Sequence, residues 1–196
     1  MTPRILAFGG SLRRGSLNQL LVGNAARGAR AAGAEVTVIA LRDYPLPVYD
    51  GDLDAAEGIP AEATELKILM KSHDGLLISS PEYNSSLTAA LKNAIDWASR
   101  PTEGDPPLAC FRGKVAGIMA ASPGGLGGLR GLVHLRAILS NLSVLVLPEQ
   151  RAVAAASNAF DGEGRLLDDK TRESVEKIGF SVATVAARLA TVEAAS

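Results

Sequence analysis

Ile5-Leu6-Ala7-Phe8-Gly9-Gly10-Ser11-Leu12-Arg13-Arg14-Gly15-Ser16-Leu17-Asn18 is an apolar run that breaks into a Gly/Ser/Arg turn and then enters a helix. A strand that ends in small and hydroxyl residues just before a helix start is the architecture of an anion site. Backbone N–H groups freed at the turn and the positive end of the helix dipole face the same point. The Ser11 and Ser16 hydroxyls, the Asn18 amide and the Arg13 guanidinium can converge there on one phosphate. Ser16 and Gln19 also have the Ser-x-x-Gln spacing of a capping box, a role compatible with ligand binding.

What the stretch lacks narrows the ligand. A nucleoside-triphosphatase loop needs a Lys followed by Ser or Thr to reach terminal phosphates and hold magnesium, and none stands here. Gly9 and Gly10 are adjacent and the next glycine is Gly15, so the dinucleotide spacing Gly-x-Gly-x-x-Gly is missing as well. A monophosphate ester, such as the tail of FMN, suits a hydroxyl-rich loop with no metal-binding companion.

Beyond this stretch, short apolar runs alternate with helix-like segments, the pattern of a parallel sheet covered by helices on both faces. Strands are expected at 4–9, 35–40, 75–80, 114–121 and 143–147, and helices at 16–32, 61–72, 86–99, 127–141 and 169–192. The last helix carries Val175, Ile178, Val182, Val185, Leu189 and Val192 at alternating spacings of three and four, a stripe that packs on its own sheet. The tail 194–196 is expected to fray. Five β-α units with a ligand loop after the first strand predict a flavodoxin-like, doubly wound five-stranded parallel sheet of order 2-1-3-4-5, in one domain over 1–196. In such sheets ligands sit at the carboxyl ends of the strands, here in the loops after the first, third and fourth.

The second of these loops reads Pro81-Glu82-Tyr83-Asn84-Ser85-Ser86. Proline stiffens the strand exit, Tyr83 offers a flat face with a polar tip, and backbone groups from Glu82 to Asn84 can pair with the edge of a flavin. The same residues also read as a helix start capped by Asn84, Ser85 or Ser86. The third loop, Ser122-Pro123-Gly124-Gly125-Leu126-Gly127-Gly128-Leu129-Arg130, has enough glycine to approach a flat ligand closely. Trp97 reads as core or interface.

Composition bounds the rest. Over 196 residues, 47% hydrophobic and 21% charged residues describe a globular chain, and a net charge of −1 gives no reason to expect nucleic acid or membrane as a partner. A single cysteine, Cys110, excludes an intrachain disulfide and a cysteine metal cluster, and suits a cytoplasmic, reducing setting. The two histidines, His73 and His134, have no nucleophile elbow beside them, and Asp50/Asp52 and Asp168/Asp169 read as solvated loop carboxylates. With no evident nucleophile, base or metal site, the hard chemistry of an enzyme here must come from a cofactor.

Taken together, Gly10-Ser11-Leu12-Arg13 through Ser16 and Asn18, Pro81-Glu82-Tyr83-Asn84 with Leu91-Lys92-Asn93-Ala94-Ile95-Asp96-Trp97, and Gly124-Gly125 onward to Arg130 resemble the NAD(P)H-dependent FMN reductase family. This family of flavodoxin-like proteins includes quinone, azo-dye and chromate reductases. The resemblance implies FMN, with its phosphate at Ser11, Arg13, Ser16 and Asn18, its isoalloxazine along Pro81, Glu82, Tyr83 and Asn84, and the loop around Ser122, Gly124 and Gly125 lining the site. It further implies NADPH or NADH as reductant, a small-molecule acceptor such as a quinone or free flavin, and a homodimer or homotetramer. The alternative on the same fold is an FMN-binding electron carrier or redox sensor without its own NAD(P)H turnover; such carriers usually dock through an acidic surface, which a net charge of −1 does not favour.

Overall fold

Three strands are apolar along almost their whole length, and they form the centre of the sheet. The computed structural model describes residues 2–193. Strands β1 (Arg4–Gly9), β2 (Glu35–Ala40), β3 (Gly75–Ser79), β4 (Val115–Ala121) and β5 (Leu145–Val153) pair in parallel in the order β2-β1-β3-β4-β5. Every residue of β3 and β4 is buried, the expected state of strands covered on both faces, whereas the edge strands are more open: β2 has only exposed and half-buried positions, and β5 mixes these with buried ones.

Alternation along the strands divides the core in two. Ile5, Ala7, Leu77 and Met119 face α1 (Leu17–Ala31) and α6 (Asp169–Glu193). Leu6, Phe8, Leu76, Ile78 and Ile118 face α3 (Ala61–Lys71), α4 (Ala89–Ala98) and α5 (Leu129–Asn141). On α6, Val175, Ile178 and Val182 are buried against the first core, with Val185 and Leu189 packed at its edge. The side chain of Val192 and the tail 194–196 lie outside the described residues.

Strand β5 and the short helix α2 (Gly51–Glu57) depart from the sequence expectation. Strand β5 continues past Leu147 to Val153 because a register shift against β4, between Ala116 and Ile118, absorbs Pro148. Proline has no N–H to give a ladder, and an edge strand with a bulge is where it is tolerated. Helix α2 buries no side chain, so no apolar stripe announces it. Asp50 caps it through a bond from the Asp52 N–H at 2.8 Å, and Asp168 caps α6 through the Thr171 N–H at 2.8 Å, so both carboxylates act on helix ends.

His73, just before β3, is buried. Its Nδ1 lies 2.6 Å from the Leu69 carbonyl, which can only accept, so Nδ1 carries the proton and Nε2 accepts from the Thr37 hydroxyl at 2.8 Å. Burial holds its pKa below the usual 6.5; the positive Arg4 and Lys114 add to this, while the Leu69 carbonyl and Asp74 oppose it. Below about pH 6.5 the unfolded chain therefore takes up a proton that folded His73 refuses, and stability falls as pH drops through that window. Melting temperatures recorded from pH 7.5 to 5.5 are expected to decline, with a shallower slope in His73→Asn.

Candidate functional site

All three ligand loops leave the carboxyl ends of β1, β3 and β4, which the strand order places side by side. They enclose a cleft of about 110 Å³ lined by Ser11, Arg13, Ser16, Leu17, Asn18, Pro81, Glu82, Tyr83, Ala121, Ser122 and Pro123. Of the remaining candidates, Asn84 lines a broader neighbouring cavity of about 720 Å³ together with Tyr83, Ser86, Lys92 and His134. Gly124 and Gly125 form the exposed crest of the third loop. A Cβ on Gly125 would meet nothing within 4 Å, and one on Gly124 only the Ser122 hydroxyl at 3.6 Å.

In the first loop, Ser16 caps α1 by accepting from the Gln19 N–H at 3.3 Å. The reciprocal half of the capping box is absent, because Gln19 accepts from Gly9 N–H at 3.1 Å and donates to the Ile39 carbonyl at 3.0 Å. Ser11 is 8% exposed and accepts from the Arg13 N–H at 3.3 Å. The N–H groups of Leu17 and Asn18, in the first turn of α1, find no acceptor in the described chain, and the Arg13 guanidinium has no hydrogen bond or ion pair there. A helix N-terminus with spare donors, a capping hydroxyl and an uncommitted arginine fit a phosphate ester.

Asn18 has a more structural position than its neighbours. Its Oδ1 accepts from Ser79 Oγ at 2.8 Å and from the Ala121 N–H at 2.9 Å, and its Nδ2 donates to the Ala121 carbonyl at 2.8 Å. It braces the ends of β3 and β4 against the start of α1, setting the floor of the cleft.

The second loop is a tight two-residue turn. Tyr83 and Ser86 exchange N–H···O bonds of 2.9 and 3.0 Å, and Asn84 and Ser85 at the tip have φ of +49° and +68°. That left-handed geometry suits asparagine and strains serine. Helix α4 consequently starts later than the sequence expects: its cap is Thr88, in place of Asn84, Ser85 or Ser86, accepting from the Leu91 N–H at 3.1 Å. Thr88 also donates to the Gly10 carbonyl at 2.6 Å, tying the second loop to the first. Tyr83 is 53% exposed at the rim of the cleft.

The glycines that sterics demand in the third loop are Gly127 and Gly128. Both have positive φ, and a Cβ would lie 2.7 Å from Val153 C and from Ala120 Cβ respectively. Gly128 leaves α5 without a side-chain cap. Glu82 supplies one from the second loop, its carboxylate accepting from the N–H groups of Arg130 at 3.0 Å and Gly131 at 3.3 Å and from Arg130 Nε at 2.7 Å. Burial pushes the Glu82 carboxyl up, but these donors and the Arg130 charge outweigh it and hold the pKa below the ordinary range.

Sequence reasoning gave Arg130 and His134 no function, yet both reach the second loop from α5, His134 through a 2.9 Å contact of Nδ1 with Ser86 Oγ. It likewise left Asn93 unexplained. Asn93 and the fully buried Trp97, four apart on α4, both donate to the Pro47 carbonyl at 2.8 Å and strap the Pro-rich loop after β2 to the helix. Their spacing was the available signal, since i and i+4 share a helix face.

A parallel sheet of order 2-1-3-4-5 with a cleft at the carboxyl ends of its central strands is the flavodoxin-like fold. Within it, the sequence model of the family described as NADPH-dependent FMN reductase matches residues 3–161, and the chain belongs to that family. It is 40% identical over 175 residues to an NAD(P)H-dependent FMN reductase of Pseudomonas aeruginosa, covering 89% of this chain and 90% of that one. It is 36% identical over 170 residues to a quinone reductase of Escherichia coli K12, covering 86% and 87%. Among solved structures it superposes on FerB, a flavoenzyme NAD(P)H:(acceptor) oxidoreductase of Paracoccus denitrificans, with a TM-score of 0.77 at 27% identity, covering 95% and 98%.

Proposed function

We infer that this chain is an FMN-dependent NAD(P)H oxidoreductase that passes reducing equivalents to a quinone, a free flavin or a similar small acceptor. The observation that carries the reading is the convergence of the three loops on one cleft, with the open N-terminus of α1 and the unpaired Arg13 at its base. Family membership and the quinone and flavin reductases among its relatives support it.

The chemistry that FMN supplies when bound is hydride acceptance from a nicotinamide and two-electron delivery to an acceptor. The chain's own part is placement. Arg13, Ser11, Ser16 and the N–H groups at the start of α1 would hold the phosphate. Pro81, Tyr83 and Asn84 would offer backbone edges and a ring face to the isoalloxazine, with Ser122, Gly124 and Gly125 closing the opposite side. Asn18 and Glu82 would fix the loops that do this. Among the described residues no histidine, lysine or cysteine lines the cleft, so holding reactants in register is what the side chains contribute. Association into a homodimer or homotetramer belongs to the same proposal, supported by Leu126 in the third loop and Leu129 and Val133 on α5, which are 54, 45 and 60% exposed. So does a cytoplasmic location, which the single buried Cys110 suits. No helix among the described residues is long and apolar enough to cross a membrane.

The test is a visible spectrum of protein incubated with FMN and freed of excess flavin, before and after anaerobic NADPH. Retained flavin bands that bleach promptly are expected. Bands that persist would favour an electron carrier, and steady-state NADPH oxidation with an added quinone would confirm the distinction.

A further inference from the structure

Helix α5 touches the second loop at two points, one turn of helix apart. Arg130 meets Glu82 and His134 meets Ser86, so the contacts fall on the two residues that flank the Tyr83-Asn84-Ser85 tip. The first contact is the stronger. The Glu82 carboxylate is only 7% exposed, takes two backbone N–H groups of α5, and is ion-paired with a guanidinium that is 57% exposed. The α5 backbone is also close: a Cβ on Gly131 would lie 3.1 Å from the Ser86 carbonyl oxygen. Between the contacts, Asn84 and Ser85 hold the left-handed backbone angles of a two-residue turn closed by the Tyr83–Ser86 bonds, so the turn is a compact unit that the two α5 contacts fix at both ends.

We propose that Glu82 is a positioning residue, the main stitch of a two-point bracket by which α5 holds the Tyr83–Ser86 turn in the shape that receives the flavin and fixes its distance from the Gly124–Gly125 crest. The same carboxylate occupies the positive end of α5, which leaves the open N-terminus of α1 as the anion-binding end at the cleft. The proposal rests on the FMN reading above and refines the part given to Glu82 there: its side chain serves the cofactor through Arg130 and α5.

The experiment compares Glu82→Gln, Arg130→Gln and the double variant with the unaltered protein. FMN binding to the apoproteins is followed by quenching of flavin fluorescence, apoprotein melting by circular dichroism, and the flavin midpoint potential by anaerobic dye titration. Each single variant is expected to bind FMN about tenfold more weakly, and the double variant no more weakly than the worse single, because one broken stitch already frees the turn. The midpoint potential is expected to rise in Glu82→Gln, which removes a negative charge from the cleft, and to fall in Arg130→Gln, which removes a positive one. A role confined to stability would lower melting temperatures and leave affinity and potential in place. Affinities within twofold of the unaltered protein, or potentials that do not move in opposite directions, would overturn the proposal. Should Glu82→Gln fail to fold, Arg130→Gln, cut at the exposed end of the pair, carries the affinity and potential tests by itself. If the unaltered protein binds no FMN, the functional reading itself fails. If it binds and the variants bind equally, only the bracket fails.

Discussion

Gly179→Ala is expected to lower the melting temperature by roughly 6–12 °C, the shift corresponding to about 3 kcal/mol in a chain of this size. A Cβ at Gly179 would stand 1.8 Å from the Ala25 carbonyl oxygen and 2.9 Å from Ala29 N, and one at Gly28 would stand 1.8 Å from the Glu176 carbonyl oxygen. Helices α1 and α6 thus cross backbone to backbone at a reciprocal pair of glycines. No flexible side-chain end is available to move aside, so relief requires the helices to separate and loosen the core of Leu21, Ala25, Val175, Ile178 and Val182 between them and the sheet. Alanine gains about 1 kcal/mol over glycine in helix propensity, which is less than the clash costs. Gly23, on the same α1, isolates the opposing effect: a Cβ there meets nothing within 4 Å, and Gly23→Ala is expected to stabilise by about 0.5–1 kcal/mol. Thermal melts of the two variants check both signs. A Gly179→Ala protein as stable as the parent would mean that the helices do not cross this closely in solution.

That crossing marks where the sequence stops being readable. Alternating βα segments give the sheet and its order, because each strand and helix advertises its burial locally through its own periodicity. Gly28 and Gly179 carry no such sign: a glycine in a helical pattern looks like a weak point until its neighbour, about 150 residues away, is known. The same limit applies at the site. The backbone loops are legible from their Gly, Ser, Pro and hydroxyl content, and Ser16 at the start of α1 from the capping rules. The partners are not. Glu82 and Arg130 are 48 residues apart, Asn18 and Ala121 103, and Asn93 and Pro47 46. Local chemistry says that Glu82 is polar and near a ligand loop, but only the fold shows that its charge is spent on a helix whose own cap position is a glycine. Gln19 shows the reverse error, since its spacing promised a reciprocal cap and the nearby Gly9 N–H and Ile39 carbonyl compete for its amide.

Arg13→Ala is expected to weaken FMN binding by about 10–30-fold, as judged by the flavin retained after gel filtration and by fluorescence quenching of FMN titrated into apoprotein. The phosphate of FMN carries close to two negative charges, while the cleft offers the partial charge of one helix end, two hydroxyls and a single full positive charge, that of Arg13. A charge-assisted contact of this type contributes about 1.5–3 kcal/mol. Arg13 is exposed, so screening by water and salt favours the lower part of that range, and about 1.5–2 kcal/mol corresponds to the stated loss. Arg14 is the internal control, because it is exposed, adjacent in sequence and outside the cleft lining; Arg14→Ala is expected to leave affinity within twofold. Salt gives a second check. If Arg13 acts through charge, raising ionic strength from about 0.05 to 0.5 M should weaken FMN binding to the parent protein more than to Arg13→Ala, so that the two affinities converge. Unchanged affinity in Arg13→Ala would remove the guanidinium from the phosphate site and leave the N-terminus of α1 and its two serines as the whole of the anion cradle. Equal salt dependence with reduced affinity would instead assign the Arg13 side chain a role in shaping the loop by packing, since the variant keeps the backbone N–H bond to Ser11 Oγ.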